Sequence, residues 1–285
     1  QPSQKGGMVT RLSCAGVIGR VFIWSVLLCL VVVVLYPLAW MVLNGFKTNT
    51  ELFGNPFALP TEWSWENYAA AWNRGVSNYV LTSILVTVTS TITTVFISAW
   101  AAYGLTRVDI PFSRAWSTII LGGLMLAPTV ALVPLVKMFQ ALGLYNSFWA
   151  LLILYTAFRI PFTTFLIRAY MIDLPREVDE AAEVDGASRW TAFWRIILPM
   201  CKPILISTVI LHVLFAWNEY LFAMIFLSGT DMQTLPVGLT SLMSKHGTDY
   251  PVVFAGMVIA AIPVVVLFFA CQRFFIKGLA DGVGK

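Results

Sequence analysis

The chain has 285 residues, of which 59% are hydrophobic and only 11% are charged, whereas soluble globular domains carry about 25% charged residues. This composition excludes a soluble globular protein, because most of such a chain cannot face water. The net charge of +4 comes from cations at the ends of apolar runs, with no dense basic stripe, so nucleic acid is not an expected partner.

The apolar residues are clustered in runs of about 20, long enough to cross the hydrocarbon core of a bilayer as helices. A helix also satisfies its own backbone hydrogen bonds in lipid. The sequence therefore predicts an all-α, polytopic membrane protein whose residues 1–285 form a single transmembrane domain with six transmembrane helices. The predicted spans are about 21–43, 79–103, 115–135, 148–171, 204–227 and 252–275. The third span is the least regular, because Gly122-Gly123, Pro128 and Pro134 weaken a straight helix.

The distribution of Lys and Arg predicts the orientation. Thirteen of these cations lie at the N-terminus, in the second and fourth loops and at the C-terminus, and four lie on the other side. Loops rich in Lys and Arg stay in the cytoplasm. Both termini are therefore expected on the cytoplasmic side of a bacterial or archaeal cell membrane. The remaining cation, Arg159, lies within the fourth span.

The fourth loop, about 172–202, is predicted to be a cytoplasmic helical hairpin. Asp173 is an expected helix cap with Pro175 in the first turn, and Gly186 can end this helix in a left-handed conformation. Ser188 is a second expected cap. An aromatic face follows at helical spacing and is expected to end at a proline: Trp190, Phe193, Trp194, Ile197 and Pro199. Judged only from its amphipathic pattern, such a hairpin could lie against the membrane interface or dock a soluble partner.

The loop also carries a recognisable motif. Glu180-Ala181-Ala182, then three residues, Gly186, then nine residues, and Ile196-x-Leu198-Pro199 resemble the EAA motif of ATP-binding-cassette (ABC) importer permeases. The resemblance implies a type I permease fold in which this loop is the coupling helix, seated in a groove of a separate ATPase. The residues that it assigns to ATPase coupling are Glu180, Ala181, Ala182, Asp185, Gly186, Ile196, Leu198 and Pro199.

Further segments are similar to permeases of the maltose type. They are Phe46-Lys47, Asn55-Pro56-Phe57, Glu66-Asn67-Tyr68, Trp217-Asn218-Glu219-Tyr220, 235–239 and 272–279. This resemblance implies import of a sugar or oligosaccharide, with an ABC permease for a glycerophosphate as the alternative. It also implies a heteromeric complex with a second permease subunit, two ABC ATPase subunits and an extracytoplasmic solute-binding protein.

Several signatures are absent from the sequence. No G-x-x-x-x-G-K-[ST] phosphate loop is present, so ATP and Mg are expected in the partner ATPase and no cofactor in this chain. No catalytic signature of a known hydrolase occurs either, so an enzyme is not expected. The four cysteines are scattered and predict no metal site. A stand-alone secondary carrier is an alternative from another class, but it would need ionisable groups along the pathway and usually paired repeats.

Four residues within the spans are candidates for the substrate pathway: Trp217, Asn218, Glu219 and Arg159. A charge near the bilayer centre costs about 3 kcal/mol unless it is paired or faces water, so Glu219 and Arg159 should face the bundle or a wet cavity. An aromatic ring beside polar groups suits a sugar. The competing interpretation is that these residues hold helices together, and Arg159 and Glu219 could form an ion pair.

Overall fold

A computed structural model describes the backbone of residues 14–228, 232–245 and 249–283, and side chains within 19–228, 232–243 and 249–272. These residues form helices and connecting turns, with no β-strand among them. The helices are α1 (Cys14–Asn44), α2 (Asn49–Gly54), α3 (Glu66–Ala71), α4 (Ser77–Arg107), α5 (Ser113–Gly122), α6 (Leu132–Ala141), α7 (Phe148–Ile172), α8 (Glu177–Val184), α9 (Arg189–Ala192), α10 (Leu198–Met200), α11 (Lys202–Asn218), α12 (Leu221–Phe226), α13 (Leu235–Lys245) and α14 (Tyr250–Val283).

In the described part of the chain, four helical stretches are long and apolar enough to cross a membrane. They are Gly19–Asn44, Glu66–Arg107, Phe148–Ile172 and Tyr250–Gln272, and they match the first, second, fourth and sixth predicted spans. A fifth span is possible if Arg189–Met200 and Lys202–Asn218, which meet at a bend of 76°, cross together. The all-α membrane fold is therefore confirmed.

Two predicted spans are not single helices. In the third, α5 ends at Gly122, one 3-10 turn covers Gly123–Met125, and α6 begins only at Leu132. Pro128 lies in this break and disfavours helix at the residue before it. The expectation of one helix over 204–227 is also wrong, because α11 ends at Asn218 and α12 begins at Leu221.

The centre of the bundle is formed by α4, α7 and α11, which pack closely. The Ser and Thr side chains of α4 provide the packing surface, as small polar residues do between membrane helices. Ser98 donates a hydrogen bond to the Ile160 carbonyl across 3.4 Å, and the Ser90 hydroxyl lies 3.2 Å from His212 Nε2. The buried members of this face are Thr82, Ser83, Thr87, Ser90, Thr91, Thr94 and Ser98.

The segment between α1 and α3 is held together by buried polar groups. The Lys47 side chain is buried, and its Nζ donates hydrogen bonds to the carbonyls of Asn55 and Pro56. Asn67 Nδ2 donates to the carbonyls of Gly45 and Lys47, at 3.0 and 2.8 Å. These contacts unite three of the segments that resemble maltose-type permeases, and they explain the segments as parts of one folded loop.

Helix α13 is fixed against α4 at Gly238, and this contact gives a testable prediction. A Cβ atom at Gly238 would lie only 2.1 Å from Cδ2 of Tyr79, so Gly238→Ala forces the ring to move. We expect destabilisation by about 1–3 kcal/mol, as for other overpacked sites, and a melting temperature lower by several degrees. Gly54→Ala is the control, because nothing lies within 4 Å of its added Cβ. Equal melting temperatures for the two variants would contradict this packing.

Candidate coupling element and polar core

Residues 177–200 form the hairpin that the sequence predicts, which we call the coupling element. Helix α8 carries Glu177, Asp179 and Glu180 in its first turn, where acids favour the positive helix end. It ends at Val184. Gly186 follows with φ +75°, and Ala187 N donates to the Ala182 carbonyl across 2.9 Å. The left-handed glycine turn is therefore confirmed.

The two expected caps have different outcomes. Ser188 caps α9, because its hydroxyl accepts a hydrogen bond from Thr191 N at 3.2 Å. The cap assigned to Asp173 is wrong. Asp173 follows the last turn of α7, and α8 begins only at Glu177, after Arg176 and without a side-chain cap.

Arg107, the last residue of α4, holds this region in place. Its Nη1 donates to Asp179 Oδ2 across 2.7 Å, and its Nη2 donates to the carbonyls of Met171 and Leu174 at 2.7 and 2.8 Å. The Arg107 side chain is only 4% exposed and that of Asp179 23%. One guanidinium thus joins α4, the end of α7 and α8. This role is not visible in the sequence, because Arg107 looks like an ordinary cation at the end of a span.

The motif residues divide into outward and inward positions. Glu180, Ala181, Asp185, Gly186 and Pro199 are exposed, Ile196 and Leu198 are half-buried, and Ala182 is 5% exposed. The outward group is able to meet a partner. Ala182 instead faces its own chain and shapes the turn.

The far side of the coupling element packs into the membrane bundle. Phe193 and Ile197 are buried in one cluster with Ala102 and Tyr103 of α4 and Ile167 of α7. The Tyr103 hydroxyl also donates to the Arg189 carbonyl across 3.2 Å. A displacement of the element therefore acts directly on α4 and α7, since close-packed interiors transmit strain.

The bend between this element and α11 lies at Cys201. The helical run Arg189–Met200 ends one residue after Pro199, so the end predicted at this proline is confirmed within one residue. Pro203 occupies the first turn of α11. Cys201 is fully buried at the bend.

Glu219 marks the break between α11 and α12. Its carboxylate accepts hydrogen bonds from Tyr155 Oη at 2.6 Å, Phe222 N at 2.8 Å and Ala223 N at 3.1 Å. Two of these donors are backbone N–H groups in the first turn of α12, which have no acceptor within the helix. A carboxylate at this positive helix end is stabilising. The side chain therefore caps α12 and ties it to α7.

The other three pathway candidates lie in different surroundings. Trp217 is buried, and its Nε1 donates to the Ala260 carbonyl across 3.2 Å. Asn218 is exposed, with its Nδ2 donating to the Leu214 carbonyl. Arg159 is half-buried, with its guanidinium carbon 4.9 Å and 4.7 Å from the ring centres of Phe162 and Phe215. Within the described residues it forms no ion pair with Glu219, so the pairing considered from the sequence is absent.

The Glu219 cap leads to a second prediction. Glu219→Ala leaves the Tyr155 hydroxyl and two backbone N–H groups without their acceptor, which costs about 1–3 kcal/mol for buried donors. We expect a lower melting temperature and impaired uptake, with partial recovery in Glu219→Gln, whose carbonyl still accepts. Glu183→Ala, an exposed acid of α8, should be mild. Equal melting curves for Glu219→Ala and Glu183→Ala would refute the cap.

Apolar helices long enough to span a membrane, joined to an exposed helical hairpin, are consistent with a membrane transport subunit. The family described as "Binding-protein-dependent transport system inner membrane component" matches residues 15–281, and the chain belongs to this family. It is therefore a permease component of a transporter.

Relatives and a solved structure agree with this assignment. The "Probable ABC transporter permease protein YurM" of Bacillus subtilis is 43% identical over 94% of this chain and 89% of its own length. The "Diacetylchitobiose uptake system permease protein NgcG" of Streptomyces coelicolor is 33% identical over 91% and 85%. The structure of a bacterial ABC transporter that imports the acidic polysaccharide alginate contains a chain of the same fold, with a TM-score of 0.82, 22% identity, and coverage of 96% of this chain and 100% of that chain.

Proposed function

We propose that this chain is the membrane-spanning subunit of an ABC importer that brings a sugar or oligosaccharide into the cytoplasm. The relative named for diacetylchitobiose uptake supports a carbohydrate. The segments that resemble maltose-type permeases point the same way. ATP and Mg are bound by separate ATPase chains, and this chain supplies the passage.

The proposal rests on the contacts that join the coupling element to the spanning helices α4 and α7. Its outer surface presents Glu180, Ala181, Asp185 and Gly186, while Arg107 and the buried aromatic face join it to α4 and α7. When the ATPase pair closes on ATP, it draws the coupling elements of two permeases together. The spanning helices then open outward to accept the solute, and hydrolysis resets them inward.

The assembly contains a second permease subunit, two ATPase subunits and an extracytoplasmic solute-binding protein. The coupling element lies in the cytoplasm with both chain termini, as the distribution of Lys and Arg predicts. The segment between α1 and α3 and helix α13 then lie on the outer face, where the binding protein delivers its solute.

The roles of the four pathway candidates are unequal. Asn218 is the exposed member of the group, and we assign it to solute contact. Glu219 and Trp217 hold in place the end of α11, which carries Asn218. Arg159 contributes a charge beside Phe162 and Phe215, and aromatic rings with polar neighbours suit the faces of a sugar.

The test is isolation of the tagged full chain from its native membrane in a mild detergent. We expect it to co-purify with a chain that carries a G-x-x-x-x-G-K-[ST] loop and with a second permease. In proteoliposomes, ATP hydrolysis by this complex should rise when binding protein loaded with an oligosaccharide is added on the outer side. A purified assembly that contains no nucleotide-binding chain would overturn the proposal.

A further inference from the structure

Arg159 is a cation in the middle of a helix that is long enough to span the membrane. It lies more than ten residues from either end of α7. At a rise of about 1.5 Å per residue, each end is at least roughly 15 Å away, and an arginine side chain does not cover that distance. Arg168 differs, because it lies four residues from the end of α7 and can extend its charge towards the interface. Charges inside a membrane are paired or face water, so Arg159 requires one or the other within the span.

The described part of this chain supplies no anion for Arg159. Neither Asp nor Glu occurs in helices α4, α5, α6, α7, α11 or α12. Glu219 lies between α11 and α12, and both of its carboxylate oxygens already accept hydrogen bonds from Tyr155 and from two backbone N–H groups. Among the described residues, Arg159 forms no ion pair, and its buried Nε has no hydrogen-bond partner. The anion that this guanidinium lacks therefore belongs to another molecule.

The surroundings of Arg159 indicate what that molecule is. The guanidinium carbon lies 4.9 Å and 4.7 Å from the ring centres of Phe162 and Phe215, and both phenylalanines are half-buried. Phe215 and the exposed Asn218 lie three residues apart on α11, so they are neighbours on the helix surface. A cation, two aromatic rings and a carboxamide thus follow one another along α7 and α11. A guanidinium pairs with two oxygens of a carboxylate or a phosphate, and the rings and the carboxamide suit a sugar.

We propose that the imported solute is an anionic saccharide whose carboxylate or phosphate pairs with Arg159 during passage. Phe215 and Asn218 contact the sugar ring at the same time. The inference rests on the proposed function and specifies the charge of its solute. A carboxylate of the second permease subunit is the competing source of the anion. Arg159 is half-buried rather than enclosed and lies beside the residue assigned to solute contact, which favours a transient solute over a permanent partner.

The test is ATP-driven uptake by the complete transporter in proteoliposomes, with the unaltered binding protein on the outer side. The probes are hexoses and hexose disaccharides, each supplied as the neutral sugar, the uronic acid and the 6-phosphate. We expect the fastest uptake for one of the anionic forms, and the comparison of acid with phosphate identifies the group. Arg159→Gln should lower this rate about tenfold or more, the effect of losing a hydrogen bond to a charged group. Arg159→Lys should recover part of the rate, because it keeps the positive charge.

Arg168→Gln is the matched control, because Arg168 is a half-buried cation of the same helix whose Nε is also buried without a hydrogen-bond partner. It should leave the preference for the anionic form unchanged, and equal amounts of all variants in the membrane fraction establish that they are inserted. An equal loss of preference in Arg168→Gln would contradict a specific role of Arg159.

Two further results would overturn the inference while leaving the proposed function intact. The first is a binding protein that takes up no anionic member of the panel. The second is a loss of the second permease subunit from the purified Arg159→Gln complex, because the missing anion would then belong to that subunit. A purified assembly without a nucleotide-binding chain would instead overturn the proposed function, and this inference with it.

Discussion

Gly186→Arg is expected to abolish ATP-driven uptake while the chain still inserts into the membrane in normal amounts. Gly186 has φ +75°, and a residue with a side chain loses roughly 1–2 kcal/mol in this left-handed conformation. The arginine also places a long cation on the exposed surface that is proposed to meet the ATPase. Uptake of labelled oligosaccharide into proteoliposomes, together with the amount of chain in the membrane fraction, measures both expectations.

The chain offers a matched control for the strain. Gly143 has φ +67° and, like Gly186, has nothing within 4 Å of an added Cβ. Gly143→Arg therefore suffers a similar backbone cost in the connection between α6 and α7, away from the coupling element. Gly186→Asn is a second control, because asparagine tolerates the left-handed region. Normal uptake by Gly186→Arg, or equal loss in Gly143→Arg, would contradict a coupling role.

The features that were predicted correctly from the sequence are local ones. Apolar runs predict spanning helices because the bilayer demands about 20 apolar residues. Gly186 and Ser188 were assigned correctly because a helix end depends on the residues beside it. Asp173 has the right chemistry for a cap but is one residue past Ile172, the end of α7, and sequence alone does not fix such boundaries.

The features that could not be predicted are contacts between distant segments. Arg107 and Asp179 are 72 residues apart, and Tyr155 and Glu219 are 64 residues apart. No periodicity connects such pairs, and the sequence suggested Arg159 as the partner of Glu219 instead. A charge in a span signals that some partner exists, but only the packing of α7 against α11 selects a tyrosine hydroxyl. The motif is therefore visible in the sequence, while its attachment to the bundle is not.

That attachment gives the second large prediction: Arg107→Gln should uncouple the transporter. The substitution leaves the Asp179 carboxylate without its cation and the carbonyls of Met171 and Leu174 without their charged donor. Removing one partner of a fully buried ion pair costs about 3–5 kcal/mol. Because the Asp179 side chain is 23% exposed, we expect a smaller cost of about 1–3 kcal/mol, and it falls on the joint between α4, α7 and α8. We expect uptake to fall at least tenfold, the change that about 1.4 kcal/mol produces, with ATPase activity no longer stimulated by loaded binding protein.

Asp179→Asn should be milder, because Asp179 is 23% exposed and Arg107 keeps its two carbonyl acceptors. The double variant should lose less than the sum of the two single losses, since contacting residues are coupled in such cycles. Arg114→Gln is the control, because Arg114 is an exposed cation in the first turn of α5 and should leave uptake unchanged. Additive losses in the double variant would show that the ion pair does not join the coupling element to α4. Full uptake in Arg107→Gln would mean that force reaches the bundle through the buried aromatic face alone.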